Sequence, residues 1–272
     1  MKEKNLIKAV LVVVAASLLL PIAASGQSTR GDFDYDGTTN MSDLTKLLGY
    51  LLTDEWGDIP SGIERDTLTV NGASFVMVHV EGGTYTASDG ETRTVGDFWV
   101  CQTEVTNKLW MAVTGQNAST GIGLQEQMPV TKVTYPQMLA FIDSLNSLTG
   151  LQFRMPSEWE WEWAARGGQR SRGFTYAGSN NPKTVAWHRF DLMTGGAGKQ
   201  DVGQLMPNEL GLYDMSGNVN EFCVETYTAD DNGTQVIRGG SFDFDESRCR
   251  ISWRSYFTRD HGASTMGFRL FM

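Results

Sequence analysis

Gly211-Leu-Tyr-Asp-Met-Ser-Gly-Asn-Val-Asn-Glu221 is the stretch that decides the fold of this chain. In it, two carboxylates seven residues apart flank a tight glycine turn. Three further motifs follow in order: Arg238-Gly-Gly-Ser-Phe242, Cys249-Arg-Ile-Ser-Trp-Arg254 and Gly267-Phe-Arg-Leu270. Their many glycines and aromatic residues are typical of a globular fold built from loops and short elements.

The composition supports one large domain with a small additional module. The chain has 272 residues, of which 40% are hydrophobic, with 8 Trp and 13 Phe, so it can bury a sizeable core. It carries a net charge of −10. An acidic surface disfavours nucleic acids and anionic membranes as partners.

The first 26 residues have the pattern of a cleaved signal peptide. Lys2, Lys4 and Lys8 form the positive flank, Ala9 to Leu20 is apolar, and small residues follow. The apolar run is shorter than the ~20 residues of a spanning helix. No cysteine lies near the exit for a lipid anchor. We therefore expect a secreted or periplasmic protein with no membrane insertion after cleavage.

An acidic segment at residues 31–53 has the spacing of an EF-hand-type calcium loop. Carboxylates stand at loop positions 1, 3 and 5, a glycine at position 6 allows the sharp turn, and a carboxylate closes position 12. The predicted ligands are Asp32, Asp34, Asp36, the Thr38 carbonyl, Asn40 and Asp43. The alternative is a solvated, Asp-rich turn.

Because this loop ends in Asp and runs into a Leu-rich helix, the segment resembles a dockerin repeat. Dockerins bind cohesin modules and usually carry two repeats, whereas one is visible here, and Thr39 replaces an aliphatic residue. We expect a calcium-stapled structural or docking module rather than a cohesin ligand. Residues 54–66 are predicted to be a linker.

Short elements follow the linker. Asn71-Gly72 between apolar runs predicts a β-hairpin from Leu68 to Val80, and Phe98 to Val105 is a predicted strand. Thr106 should cap a first helix, and a second is predicted from Tyr135 to Leu148. Ser157 and Glu160 predict a capping box on a third helix, with Trp159 and Trp163 on one buried face.

The ordered motifs of residues 67–272 resemble the formylglycine-generating enzyme, or sulfatase-modifying factor, family. Val80-Glu-Gly-Gly-Thr84, Glu104-Val-Thr-Asn107 and Arg154 to Gly168 precede the motifs quoted first. The resemblance implies an α+β fold, an elaborated C-type-lectin-like domain with little regular secondary structure. It also implies a structural calcium site whose ligands would be Asp214, the Gly217 and Val219 carbonyls, and Glu221.

Oxidases of this family convert a substrate cysteine to formylglycine with copper(I) held by two thiolates. The resemblance places Phe244 and Cys249 at the two thiolate positions and Ser241 at an active-site serine. Phe244 cannot bind copper. We therefore expect a non-catalytic module that binds a protein or glycan. The rival hypothesis is an oxidase with altered metal ligation, which would use Cys249 and Ser241.

The chain has three cysteines, Cys101, Cys223 and Cys249. In an exported protein, Cys223 could pair with Cys249 in a disulfide, with Cys101 buried. The other interpretation is three buried free thiols.

Overall fold

A computed structural model describes residues 62–118, 125–189, 198–227 and 233–272. The chain divides into two units, Met1–Ile59 and Pro60–Met272, and the described residues belong to the second. The predicted signal peptide and calcium loop lie outside the described residues. None of the described helices is long and apolar enough to cross a membrane.

The described part of the chain consists of short strands and three α-helices. The helices are α1 (Asn107–Thr114), α2 (Tyr135–Thr149) and α3 (Glu158–Ala165). The strands are β1 (Arg65–Val70), β2 (Ala73–Val80), β3 (Gly83–Thr86), β4 (Thr92–Val95), β5 (Phe98–Cys101), β6 (Ala186–Trp187), β7 (Ser216–Gly217), β8 (Asn220–Thr226), β9 (Thr234–Arg238), β10 (Ser255–Thr258) and β11 (Met266–Gly267).

The first sheet is antiparallel, with the strand order β1-β2-β5. The predicted hairpin is confirmed: β1 and β2 join through Asn71 (φ 47°) and Gly72 (φ 82°), the positive φ values that a type I′ turn requires. Strand β1 begins at Arg65, two residues before the predicted start of the domain. Strand β5 ends at Cys101, four residues earlier than predicted.

The second sheet has four strands in the order β10-β9-β8-β11. Strand β11 is parallel to β8, whereas β9 is antiparallel to both of its neighbours. The pairs β3–β4 and β6–β7 form two small additional sheets.

Each helix begins at a polar cap that the sequence predicts or allows. The Thr106 hydroxyl accepts a hydrogen bond from the Leu109 amide, and Thr134 forms a capping box with Gln137. The predicted capping box of Ser157 and Glu160 is also present at α3. These caps satisfy backbone amides that have no partner within the helix.

Helix α3 contributes tryptophans to the core, but not along the predicted face. Trp161 is completely buried and Trp163 is nearly so, whereas Trp159 is only half-buried. The four-residue spacing predicted Trp159 and Trp163 as a pair, and it missed that α3 packs between β4 and the strands β8 and β9 and so buries Trp161.

The C-terminal segment runs through the centre of the domain. Phe268, Leu270 and Phe271 are completely buried. Phe271 forms backbone bridges to both Val100 and Arg154 and stacks on Phe98 with ring centroids 5.3 Å apart. The described residues thus form a mixed α+β fold with few helices and several small sheets, as predicted for this region.

Candidate functional site

The turn at residues 214–221 depends on left-handed backbone. Asp214, Gly217 and Asn218 have φ values of 58°, 80° and 56°. A Cβ atom on Gly217 would lie 2.3 Å from the Trp187 carbonyl oxygen, so only glycine lets the turn pack on β6. The turn is therefore built against the neighbouring strand.

Both oxygens of the Glu221 carboxylate accept hydrogen bonds from other side chains of the protein. It accepts hydrogen bonds from Arg269 Nε at 3.0 Å and Nη2 at 2.7 Å, and from Trp161 Nε1 at 2.7 Å. Arg269 also donates to the carbonyl oxygens of Cys101 and Tyr213. Both charged side chains are buried, so their mutual pairing offsets the cost of removing them from water.

A second pair of carboxylates lies beside this ion pair. Asp214 Oδ2 accepts from the Gly203 amide at 2.7 Å, whereas its buried Oδ1 has no hydrogen-bond partner in the described part of the chain. Glu104 accepts from the Val219 amide and from Asn218 Nδ2. Burial raises the pKa of Asp214 to about 6. Burial also raises the pKa of Glu104 well above its ordinary value, and the nearby Asp214 charge adds to this effect.

As they lie, these residues do not fit the calcium site that the family resemblance implies. The structure brings Asp214 and Glu221 near each other, but Glu221 faces Arg269 and Asp214 faces the Gly203 amide. The positive charge beside Glu221 is a guanidinium, which also removes the repulsion expected between two carboxylates without a cation. No cluster of three His, Cys, Asp or Glu residues suited to a metal ion occurs in the described ranges.

Sequence reasoning missed Glu104 as a member of this cluster. A signal was present, because a lone carboxylate follows the apolar strand residues that begin at Phe98 and lies within the quoted Glu104-Val-Thr-Asn107 motif. Arg269, in Gly267-Phe-Arg269, was noted only as part of a motif.

The region of the predicted thiolate positions begins where β9 ends. Gly239 and Gly240 have φ values of 90° and 76°, and a Cβ atom on Gly240 would lie 2.4 Å from the Arg248 carbonyl oxygen. This close approach holds the 3₁₀ turn at Glu246–Cys249 against the strand end. It brings the Cys249 thiol next to the Ser241 backbone.

Cys249 is a protonated, inaccessible thiol. Its side chain is completely buried, and burial raises its pKa to about 12, with the nearby Asp245 charge adding to the effect. The thiol lies 3.9 Å from the Asp245 carbonyl oxygen. A thiolate, which is both the nucleophile and the metal ligand, is therefore disfavoured here at neutral pH.

Phe244 occupies the other predicted thiolate position with an aromatic ring. The ring contacts Trp253 edge to face, with centroids 5.7 Å apart, and the Arg248 guanidinium lies 4.9 Å above it. A copper(I) ion would find one thiol instead of two, so the donor set does not fit the ion held by the family's oxidases.

The three cysteines are free and buried, and the predicted alternative of a disulfide is not formed. Cys223 packs in the cluster around Trp161, whereas Cys249 packs against Tyr176, Val185 and Ala186. The other interpretation, three buried free thiols, describes the structure.

Buried polar atoms without protein partners occur in two joined segments, and sequence reasoning singled out only Ser241 among the residues that carry them. The buried Ser241 Oγ, Trp187 Nε1 and both ring nitrogens of His188 lack hydrogen-bond partners among the described residues. The two segments that carry them are joined by a hydrogen bond from the Arg189 amide to the Phe244 carbonyl at 2.8 Å. Such atoms cost free energy unless water or a ligand satisfies them.

The chain matches the sequence model of a protein family, the sulfatase-modifying factor enzyme 1-like domain, over residues 64–272. The chaperone protein LppX of Paenibacillus barcinonensis is 30% identical, and the match covers 71% of this chain and 88% of that protein.

Of two further relatives, one is named as an enzyme and the other as inactive. The formylglycine-generating enzyme of Thermomonospora curvata is 29% identical, with 63% of each chain covered. The inactive C-alpha-formylglycine-generating enzyme 2 of Bos taurus is 32% identical over 57% of this chain and 54% of that protein. The chain thus spans just over half to less than two thirds of these two relatives.

Among solved structures, Treponema denticola variable protein 1 is similar, with a TM-score of 0.66 and 26% identity. The match covers 76% of this chain and 98% of that protein.

Proposed function

Because the chain belongs to the sulfatase-modifying factor enzyme 1-like family, we propose that it is a non-catalytic member that serves as a binding or scaffold module for a protein or glycan. One observation carries the proposal: the ring of Phe244 packs on Trp253 at the position where the family resemblance implies a second thiolate.

The physical reason is metal coordination. Copper(I) bound by two thiolates would supply the oxygen chemistry that removes two electrons from a substrate thiol. In this chain Cys249 remains alone, and its buried thiol has a pKa of about 12. With one sulfur donor instead of two, the site lacks the ligand set that holds the soft metal in the family's oxidases.

The relatives support a binding role without identifying the ligand. One similar protein is named a chaperone and another is named inactive. Neither name assigns a partner to this chain. We place the protein outside the cytoplasm, on the basis of the signal-like residues 1–26, and we assign a calcium ion to the loop from Asp32 to Asp43.

A second candidate function is an oxidase with altered ligation, because the serine and one thiol remain together. Ser241 Oγ is buried without a partner beside Cys249. This arrangement could only work if another side chain supplied the second metal ligand.

An assay on a sulfatase-type peptide separates the two functions. The copper-loaded protein is incubated with a peptide containing Cys-x-Pro-x-Arg, and the products are analysed by mass spectrometry. We expect no loss of the substrate thiol and no aldehyde. Aldehyde formation that disappears in Cys249→Ser would refute the proposal.

Two variants at position 244 test whether the missing thiolate limits copper binding, and the second controls for misfolding caused by the substitution itself. Phe244→Cys should raise the affinity for copper(I), measured by competition with a chelating dye, whereas Phe244→Leu should not. Equal copper affinity in the two variants would show that the thiolate count is not what limits metal binding.

A further inference from the structure

Two arginines and three aromatic rings form a distinct surface feature, the Arg–aromatic surface, made of Arg93, Trp159, Tyr227, Arg254 and Tyr256. The Arg93 guanidinium lies 4.2 Å above the Trp159 ring, and the Arg254 guanidinium lies 4.8 Å above Tyr227. Tyr227 and Tyr256 are neighbours with ring centroids 4.5 Å apart and planes inclined by 42°.

Glu158 connects the two halves of this surface. It accepts hydrogen bonds from Arg254 Nε at 2.5 Å and Nη2 at 2.9 Å, and it directly precedes Trp159 in α3. Arg93 is held in turn by Asp89 at 2.5 Å. The two-point pairing of Arg254 with Glu158 and the single hydrogen bond of Arg93 to Asp89 hold both guanidinium groups in place, so the stacked groups are positioned before any ligand arrives.

The core does not explain the exposed part of the surface. Tyr256 is 51% exposed, and it lies on β10, the edge strand of the four-stranded sheet. Val224 on β8 is 46% exposed. Tyr227, by contrast, packs against the core and also contacts the ring of Tyr256. An exposed aromatic ring that is held by its neighbours is a common anchor for binding.

The charges of the surface are already neutralised. Each arginine has a carboxylate partner, so the surface offers fixed N–H groups without a net positive charge. The protein as a whole carries a charge of −10, which opposes anionic ligands. The surface therefore suits a neutral molecule that presents apolar C–H faces and hydroxyl edges together.

We propose that the Arg–aromatic surface binds a neutral oligosaccharide. The pyranose C–H faces would pack on the exposed ring of Tyr256, because the negative face of an aromatic ring attracts polarised hydrogens. The exposed edge of Trp159, whose face is covered by Arg93, would add an apolar contact beside it. Sugar hydroxyls would accept hydrogen bonds from the two guanidinium groups. This inference rests on the proposed binding role and names the class of ligand.

Isothermal titration of the full chain with four probes tests the proposal. The probes are cellohexaose, xylohexaose, chitohexaose and a sulfated heparin hexasaccharide. We expect at least one neutral hexasaccharide to bind and the sulfated one to bind no better. Tyr256→Ala should weaken the neutral ligand about tenfold, whereas Tyr256→Phe, which keeps the ring face, should retain most of the affinity.

Leu148→Ala is the matched control, because Leu148 is 53% exposed on α2 and its removal deletes a comparable apolar group elsewhere. The proposal fails if none of the neutral hexasaccharides binds, or if binding survives Tyr256→Ala and Trp159→Ala together. Binding of an oligoproline peptide that is lost in Tyr256→Ala, with no sugar binding, would assign the surface to a protein partner instead. None of these outcomes affects the peptide-oxidation assay, so the two proposals fail separately.

Discussion

At the scale of single residues, the buried guanidinium of Arg269 makes the central ion pair of the candidate site. Its guanidinium satisfies Glu221 and two backbone carbonyls, while Glu221 also receives the Trp161 indole. Each guanidinium nitrogen and each carboxylate oxygen of the pair has at least one partner inside the core. The pair therefore joins β5, β8, α3 and the C-terminal segment.

Removing one member of this pair should be far more damaging than removing both. Arg269→Met leaves a buried, unpaired carboxylate and should lower the free energy of unfolding by about 3–5 kcal/mol. The double variant Glu221→Leu/Arg269→Met should recover part of that loss. Urea denaturation with a chelator present measures both. A single variant within about 1 kcal/mol of the parent would contradict a tightly coupled pair.

The raised pKa of Cys249 should make the free energy of unfolding fall at alkaline pH. Its pKa is raised from 9.0 in the unfolded chain to about 12 in the fold, so the native state keeps the proton longer. The stabilisation is complete below pH 9 and is lost as the pH rises toward 12. In Cys249→Ala the decline above pH 9 should be shallower by up to about 1.4 kcal/mol per pH unit. Parallel curves for the variant and the parent would rule out this contribution.

At the scale of elements, the glycine turns decide how the strands and loops approach one another. Gly217 and Gly90 both have positive φ, 80° and 88°. They differ in surroundings, because a Cβ atom on Gly217 would meet the Trp187 backbone whereas one on Gly90 would meet nothing within 4 Å. The two positions thus separate backbone strain from steric overlap.

Alanine at these two positions should have unequal effects. Gly90→Ala should cost about 1 kcal/mol through its φ alone. Gly217→Ala must also push β7 away from β6, so it should destabilise the protein by at least about 2 kcal/mol more. Thermal unfolding of both variants checks the difference. Similar melting temperatures would mean that the turn can move without loss.

The elements also show which parts of the fold the sequence could predict. The hairpin at Asn71-Gly72 and the caps at Thr106 and Ser157 were predictable because their signals are local. The exact burial of α3 was not, since Trp161 faces the core only because two sheets pack on that helix. The ion pair between Glu221 and Arg269 joins positions 48 residues apart, and no local pattern marks such a contact.

The candidate site also has parts that the sequence could predict and parts that it could not. The replacement of a thiolate by Phe244 was predicted from the motif order and is consistent with the packed ring in the structure. The calcium ligands near Asp214 were predicted from resemblance, and the structure turns their carboxylates toward protein donors. His188 and the Arg–aromatic surface depend on which loops meet, and this is decided by the whole fold.

At the scale of the whole molecule, the acidic loop before the domain gives a separate prediction. If the ligands from Asp32 to Asp43 bind calcium, calorimetry on the full chain should show a single site that disappears in Asp36→Ala. Asp143→Ala removes the same charge from an exposed helix position and should leave binding unchanged. A second site that remains in Asp36→Ala would mean that the turn at 214–221 rearranges to accept an ion.

The buried C-terminal segment has a consequence for the order of events during synthesis. Phe98 and Val100 leave the ribosome long before Phe271, the residue that stacks on one and bridges to the other. The link from Arg269 to Cys101 spans 168 positions. Contacts this distant in sequence slow folding, so the nascent chain must hold an unfinished apolar centre until residues 266–271 have been synthesised. A ribosome that stops before Met266 would release a chain without that centre, a natural substrate for chaperones and proteases.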